Sequence, residues 1–463
     1  MGESWAISGV DLHVELGRSR IRESLEQALR EGVKSGRLLA GTVLPPSRAL
    51  AIDLGIARNT VTEAYAQLVA EGWLTARQGS GTRVAQVGAE PGGGVGLSRA
   101  AESKIRYDLR PGFPDVTSFP RSEWMTSARA AMSRAPSDAF GYGDPRGRVE
   151  LRAALAGYLA RARGVRASPE RVLVCTGFSQ ALFLLACAFR AEGRRRIGVE
   201  SYGHRRHREL LARAGLEVVA LTVDEHGART DGLERLDAVL LTPAHQFPLG
   251  VVLDAARRTR FAHWAASSGG VVIEDDYDGE FRYDRRAVGA MQALSPDHVI
   301  YAGTASKTLA PGLRLAWLVL PEAFIAELVE LRALSDLHTP VLDQLTLAEF
   351  LSSGRYDRHV RRCRLSYRRR RDGLVATIAK ARGGLSLEGL PAGLHAVVGL
   401  PAGSSEDDLV ARAARRELAL EGLGQYASGS SSGPALVVGY GTPPPHLYTA
   451  ALARLSATLS ETA

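Results

Sequence analysis

A lysine set among small hydroxyl residues, with an arginine seven positions later, can hold a ligand that carries both an aldehyde and a phosphate. Residues 301–315 read Tyr-Ala-Gly-Thr-Ala-Ser-Lys-Thr-Leu-Ala-Pro-Gly-Leu-Arg-Leu. The Lys307 amine can attach covalently to an aldehyde. The Thr304 and Ser306 hydroxyls can hydrogen-bond phosphate oxygens, and the Arg314 guanidinium can neutralise their charge. Upstream, residues 272–281 form an apolar run that ends in carboxylates and a tyrosine. Asp275 there suits a protonated pyridine nitrogen, and Tyr277 a ring hydroxyl; taken alone, the segment also reads as a solvated acidic loop. A third group lies in Cys175-Thr-Gly-Phe-Ser-Gln180, where a strand passes into a helix. Free amides at Phe178 and Ser179, at the start of that helix, would make a phosphate site.

The elements that must position these groups alternate apolar runs with helical stretches, so the expectation is a sheet covered by helices. Seven strands are predicted, at 171–176, 196–200, 217–223, 238–242, 271–275, 299–302 and 315–320, with a helix over 181–189. The chemical groups fall at strand ends, where open α/β sheets bind ligands. After Pro321 a long helical stretch, including 356–374, leads to short strands near 395–400 and 435–440 in a smaller lobe, roughly 330–463.

Residues 11–85 read differently. Ile21, Leu25, Ala28, Leu29 and Val33 share one face of a first helix. Leu44-Pro-Pro-Ser-Arg48 gives a break and an N-cap at Ser47, and a short helix then runs to a turn at Gly55. A further helix opens at Ala57-Arg58-Asn59-Thr60. It points Val61, Ala64, Tyr65, Leu68 and Val69 inward and leaves Arg58, Asn59 and Thr62 outside, as a recognition helix does. Residues 72–75 and 83–84 can pair as a wing around Gln78-Gly-Ser-Gly81. This run of proline-serine-arginine start, arginine-threonine-valine turn and glycine-rich wing resembles the winged helix-turn-helix of GntR-family repressors. The resemblance implies that Arg48, Arg58, Thr60 and Gln78 contact double-stranded DNA.

Residues 86–104 lack a hydrophobic period and are rich in glycine, the composition of a flexible linker. From 105 to 463 the chain resembles a fold-type I aminotransferase, through Arg110-Pro-Gly-Phe-Pro-Asp115, Tyr142-Gly-Asp-Pro-Arg-Gly, residues 241–250, Glu274–Tyr277 and the Lys307 segment. Together the two parts resemble the MocR subfamily. The implied fold class is α/β: an N-terminal winged helix-turn-helix, a large domain like the fold-type I transferases that depend on pyridoxal 5'-phosphate (PLP), and a smaller C-terminal α+β lobe. The resemblance further implies a PLP cofactor on Lys307 with its phosphate on Thr304, Ser306 and Arg314, a small-molecule effector, and a homodimer in which Tyr142 reaches the partner's phosphate.

Three departures accompany these matches. The region before the last strand, Ser432-Gly-Pro-Ala435, lacks the arginine with which such aminotransferases grip a substrate carboxylate, a contact worth several kcal/mol. Phe247 precedes Pro248 where the relatives have an asparagine, so the ring hydroxyl leans on Tyr277, His245 or Gln246. His204, within the basic run 204–207, stands where relatives place a tyrosine near the cofactor, and that run reads either as an anionic-effector site or as a solvated helix start. Arg361, Arg362, Arg364 and Arg368 to Arg371 spread round most of a helix, as a solvated face or as an auxiliary contact with the DNA backbone.

The net charge of +8 favours a polyanionic partner. Cys175, Cys187 and Cys363 cannot pair completely and have no zinc-like spacing, which points to a reducing compartment. No window approaches the roughly eighteen apolar residues of a membrane span, and the start of the chain is unlike a signal peptide. The expectation is a cytoplasmic transcriptional regulator whose aminotransferase-like domain senses PLP or a small effector, with efficient transamination lost. An active aminotransferase with an accessory DNA-binding domain is the alternative.

Overall fold

A computed structural model of the chain describes residues 20–77, 81–85, 105–283, 288–381, 384–429 and 433–460. They fall into two compact units, Met1–Ala101 and Glu102–Ala463.

In the first unit, helices α1 (Ile21–Lys34), α2 (Ser47–Leu54) and α3 (Arg58–Ala70) are followed by the antiparallel strands Leu74–Arg77 and Gly81–Val84. The predicted inward residues form the core: Leu25, Leu29, Leu50, Val61, Ala64, Leu68 and Val84 are buried together. Gly55 ends α2 with φ 64°, in the left-handed region that glycine enters without steric cost. Ser47 is not the cap expected of it. Pro46 occupies that position, its φ fixed at −55°, and its carbonyl accepts the first helical bond from Leu50 N at 3.0 Å, which draws Ser47 into the first turn.

The large unit is built on the seven predicted strands. Their order across the sheet is Val172–Cys175, Ala316–Val319, Val299–Thr304, Val271–Asp275, Ala238–Leu241, Arg196–Glu200, Glu217–Leu221. Ala316–Val319 runs antiparallel to both neighbours, and the five strands from Val299–Thr304 onward are parallel. Central strands are buried on both faces, which is why they read as unbroken apolar runs. Alternate residues serve opposite layers. Leu173 and Cys175 pack with the helix Phe178–Ala191 and with Phe324, while Val172 and Val174 pack with Leu155, Trp317 and Phe350.

The smaller lobe has a four-stranded sheet ordered Ser386–Glu388, His395–Gly399, Ala435–Gly439, Glu421–Gly422. Residues far apart in sequence complete it, for Tyr107–Asp108 pairs in parallel with Leu418–Ala419. The 26-residue helix Arg355–Lys380 joins the lobes, with Tyr356 and Val360 in the large-lobe core and Cys363, Tyr367, Leu374 and Ile378 in the small-lobe core.

The end of strand Val271–Asp275 brings Asp276 into the interior, where Arg163 meets it with Nε–Oδ2 at 2.6 Å and Nη2–Oδ1 at 3.0 Å. Tyr301 Oη donates to the same carboxylate at 2.7 Å, and burial with Asp276 beside it holds the tyrosine well above the usual phenol range. Removing one member of a buried pair strands the other charge, at a cost of about 3–5 kcal/mol. Arg163→Met is therefore expected to lower stability by about that amount in urea unfolding, and Asp276→Asn in the same chain should restore part of it.

Candidate functional site

The C-terminal ends of the parallel strands open on one cavity of about 210 Å³. Strand Val271–Asp275 supplies Asp275, strand Arg196–Glu200 supplies Glu200, and Thr242 follows Ala238–Leu241. Ser306 and Lys307 follow Val299–Thr304. Because Ala316–Val319 is antiparallel to that strand, Arg314 precedes it at the same end. Of the expected cofactor residues, Lys307, Asp275, Tyr277, Thr304, Ser306, Arg314, Phe178, Ser179 and His204 all line this cavity. Tyr142 does not; it is 91 % exposed.

One side of the cavity suits an anion. The helix Phe178–Ala191 starts after Gly177 with no side-chain cap, and the amides of Phe178 and Ser179 donate to no acceptor among the described residues. Gly177 has φ 86°, and a Cβ on it would lie 2.7 Å from the Arg314 guanidinium carbon. Glycine is thus needed both for the turn and for Arg314 to cross it, which Arg314 does by donating to Thr176 O at 2.8 Å. The Thr304 hydroxyl is occupied by its own turn: it accepts Ser306 N–H at 3.1 Å and lies 2.8 Å from Ser306 Oγ and 3.2 Å from Leu315 O. Thr304 therefore shapes the loop, and Ser306 presents the freer hydroxyl.

The opposite side holds the acid. Burial pushes the Asp275 carboxyl up to about 8 against the opposing pull of Lys307. Burial pushes the Lys307 amine down, with Asp275 and Asp278 acting against it. The amine donates to Gly112 O at 2.6 Å. Tyr277 Oη lies 3.1 Å from His245 Nδ1, which is 2.8 Å from Asp278 Oδ2. His245 and Asp278 are both buried, so the tyrosine hydroxyl rests on an enclosed imidazole–carboxylate pair. Gln246 instead donates to the carbonyls of Tyr202 and Phe247. The acidic segment is not a solvated loop: Glu274, Asp275, Asp276, Asp278 and Glu280 are all buried.

The aromatic wall is made by Phe247, whose ring stacks on His204 at 4.2 Å and 17°. His207, 5.1 Å from Phe178, also lines the cavity, its imidazole pushed down to about 4 by burial and then by Lys307 and Arg208. Sequence alone does not single out His207, Glu200 and Tyr202, because only the sheet topology carries residues 200–207 to Lys307. The arginines of that basic run do not line the cavity. Arg205 pairs with Glu209 at 2.6 Å, and Arg208, just beyond the run, donates to the carbonyls of Gly203 and Tyr426.

In the first unit, Arg48 and Arg58 are exposed at the starts of α2 and α3, both of which lack a side-chain cap, and Thr60 is half-buried. Thr62 turns its hydroxyl back to Arg58 O at 3.0 Å. Gln78 lies outside the described residues.

Residues 116–422 match the aminotransferase class I and II family, and residues 21–84 match the bacterial regulatory proteins of the gntR family. The cavity at the strand ends is thus that of an aminotransferase-type domain, a fold that implies PLP. Among curated relatives, the pyridoxine biosynthesis transcriptional regulator PdxR of Corynebacterium glutamicum is 33 % identical over 91 % of this chain and 92 % of its own. The probable rhizopine catabolism regulatory protein MocR of Rhizobium meliloti is 34 % identical over 77 % of this chain and 76 % of its own. The chain belongs to the MocR-type transcriptional regulators, in which a GntR helix-turn-helix is fused to an aminotransferase class I/II domain. Solved aminotransferases share the fold of the second part. Kynurenine aminotransferase of Pyrococcus horikoshii superposes with a TM-score of 0.69 at 23 % identity, covering 76 % of this chain and 90 % of that one. The α-aminoadipate aminotransferase LysN of Thermus thermophilus, solved with N-(5'-phosphopyridoxyl)-L-leucine, gives 0.68 at 25 %, covering 78 % and 93 %. Among the described residues, no helix is long and apolar enough to cross a membrane.

The raised Asp275 carboxyl has a consequence for pH. Without cofactor, the folded chain keeps a proton that the unfolded chain, titrating near 3.8, has released. The contribution of this group to stability is therefore lost as the pH rises toward 8. Thermal unfolding of the cofactor-free protein should show wild type losing roughly 2 kcal/mol relative to Asp275→Asn between about pH 6 and pH 8. A gap that stays constant with pH would contradict the assignment.

Proposed function

We propose that this regulator binds PLP on Lys307 and that occupancy of the cavity, by PLP or by a small effector, sets its affinity for a double-stranded DNA operator. The observation that supports the reading most is the convergence of a half-buried amine, a buried carboxyl and an anion cradle on one cavity of about 210 Å³, in a chain that carries a helix-turn-helix. When bound, the cofactor supplies an aldehyde and an electron-withdrawing pyridine ring. Lys307 holds the aldehyde carbon. Asp275 is the acid available to a ring nitrogen, and Tyr277, steadied by His245 and Asp278, faces the ring hydroxyl. The amides of Phe178 and Ser179, with Ser306 and Arg314, take the phosphate, and Phe247 and His204 close over the ring.

Sensing is favoured over transamination because, among the described cavity residues, Arg314 is the single arginine and it belongs to the anion cradle. Among those described residues no second guanidinium is present to grip a substrate carboxylate. PLP itself is then a candidate signal, in keeping with the pyridoxine biosynthesis regulator among the relatives. The exposed Tyr142 fits a two-fold homodimer in which it serves the partner's phosphate, and such a dimer presents two winged helices to a repeated operator. Arg48, Arg58, Thr60 and Gln78 are its proposed DNA contacts, and the cytoplasm its compartment.

Two outcomes are expected, each checked on purified protein that sediments as a dimer. Wild type incubated with PLP absorbs in the visible, and borohydride fixes the cofactor to the peptide containing Lys307; Lys307→Ala loses both signals. Adduct formation elsewhere in that variant would displace Lys307 from its role. Arg58→Ala keeps the visible band and loses about 1–3 kcal/mol of operator affinity; undiminished affinity would remove Arg58 from the interface.

A further inference from the structure

The arginines of the helix Arg355–Lys380 are not spread evenly round the circumference once the structure is in view. Arg370 is buried, donating to Asp115 Oδ2 at 2.8 Å and to the carbonyls of Tyr440, Gly441 and Pro443. Arg364 donates to Glu280 O at 2.8 Å, and Arg355 lies 3.5 Å from Glu349. The arginines left exposed are Arg358, Arg361, Arg362, Arg368 and Arg369. At 3.6 residues per turn these five lie within a sector of about 120° and run for about 16 Å along the axis. Of the five, Arg362 meets an acid, Glu123 at 3.0 Å, and the other four have no ion-pair partner among the described residues. Asp372 is the exposed acid of the same sector, at its C-terminal end.

We infer that this stripe is a second DNA-binding surface, which holds the phosphate backbone of the duplex flanking the operator. The four arginines without an ion-pair partner among the described residues repel one another on one helical face, and a polyanion relieves that repulsion. The stripe also has what a backbone contact requires. It is rigid, because the opposite face of the helix is locked into the cores of both lobes. It carries no sequence-reading geometry, and backbone contacts position a protein without specifying bases. Its length matches several phosphates, which follow one another along a strand at about 3.4 Å of axial rise. The chain thereby divides two tasks: the winged helix reads the operator, and the body holds flanking DNA by charge. This inference rests on the regulator reading proposed above.

The test uses full-length protein and an operator duplex that the protein itself selects from a random pool. The duplex is made in a short form ending at the winged-helix footprint and in a long form extended by about three helical turns on each side. The combined variant Arg358→Gln, Arg361→Gln, Arg368→Gln, Arg369→Gln should bind the short duplex like wild type. On the long duplex it should lose about tenfold or more in affinity, and the slope of log affinity against log salt should become shallower by about 0.9 for each phosphate that the stripe no longer neutralises. Asp372→Asn, which removes the opposing charge without risk to the core, should tighten binding to the long duplex alone. Arg58→Ala should weaken both duplexes alike, which separates a failure of the winged helix from a failure of the stripe. Equal salt slopes for wild type and the quadruple variant on the long duplex overturn the inference, as does an equal loss on both duplexes. Wild type that binds neither duplex overturns the regulator reading and this inference with it.

Discussion

Five acidic side chains, Glu274, Asp275, Asp276, Asp278 and Glu280, enter the interior within seven residues, and much of the large lobe is arranged to satisfy them. A buried carboxylate is costly unless it is paired, hydrogen-bonded or protonated. Each of the five meets a different solution. Asp276 has the Arg163 fork and Tyr301, and Glu274 accepts the backbone amides of Met291 and Gln292, each at 2.8 Å. Asp278 has His245, and Glu280 accepts from Tyr158 at 3.2 Å. Asp275 alone faces the cavity, and among the described residues no hydrogen bond satisfies its carboxyl. Its pKa is correspondingly the highest of those raised in the set. The strand end is thus an anchor on four sides and a binding group on the fifth.

Lys307 is placed by the same logic. Lys307 lines the same cavity as Asp275, yet its amine is drawn not to the carboxyl but to Gly112 O at 2.6 Å. Gly112 belongs to the segment Arg110–Asp115, which leads from the pairing of Tyr107–Asp108 with the small lobe to the buried contact of Asp115 with Arg370. The segment ties the small lobe to the lysine. A ligand attached covalently to Lys307 would compete with that hydrogen bond, and this would link the ligand state of the cavity to the position of the segment.

What the sequence made legible was local. Seven apolar runs located seven strands; six are buried on both faces and leave no polar alternation to misread, while the edge strand Glu217–Leu221 is only partly buried. Lys307, Asp275, Phe178 and Ser179 could be placed together because each lies at the end of a predicted strand, and these ends meet at one cavity. What was hidden depended on distant pairing. His245 meets Asp278 across 33 residues of chain and Arg163 meets Asp276 across 113, and no spacing rule foresees either. Pro46 takes the cap from Ser47 because a fixed φ outweighs a hydroxyl preference. The arginine helix misleads because sequence counts charges on a circle, whereas the fold withdraws those on the buried side into ion pairs and carbonyl contacts.

The central claim is that the state of one cavity governs the affinity of the winged helix for DNA. It is tested most directly by titrating operator duplex with three full-length preparations: cofactor-free protein, PLP-loaded protein and Lys307→Ala. A ligand can shift operator affinity only by its differential binding energy, typically 1–3 kcal/mol, so PLP as the signal requires wild type to change affinity by roughly 5–150-fold on loading while Lys307→Ala does not respond. Identical operator binding by all three would contradict the claim that PLP on Lys307 is the signal.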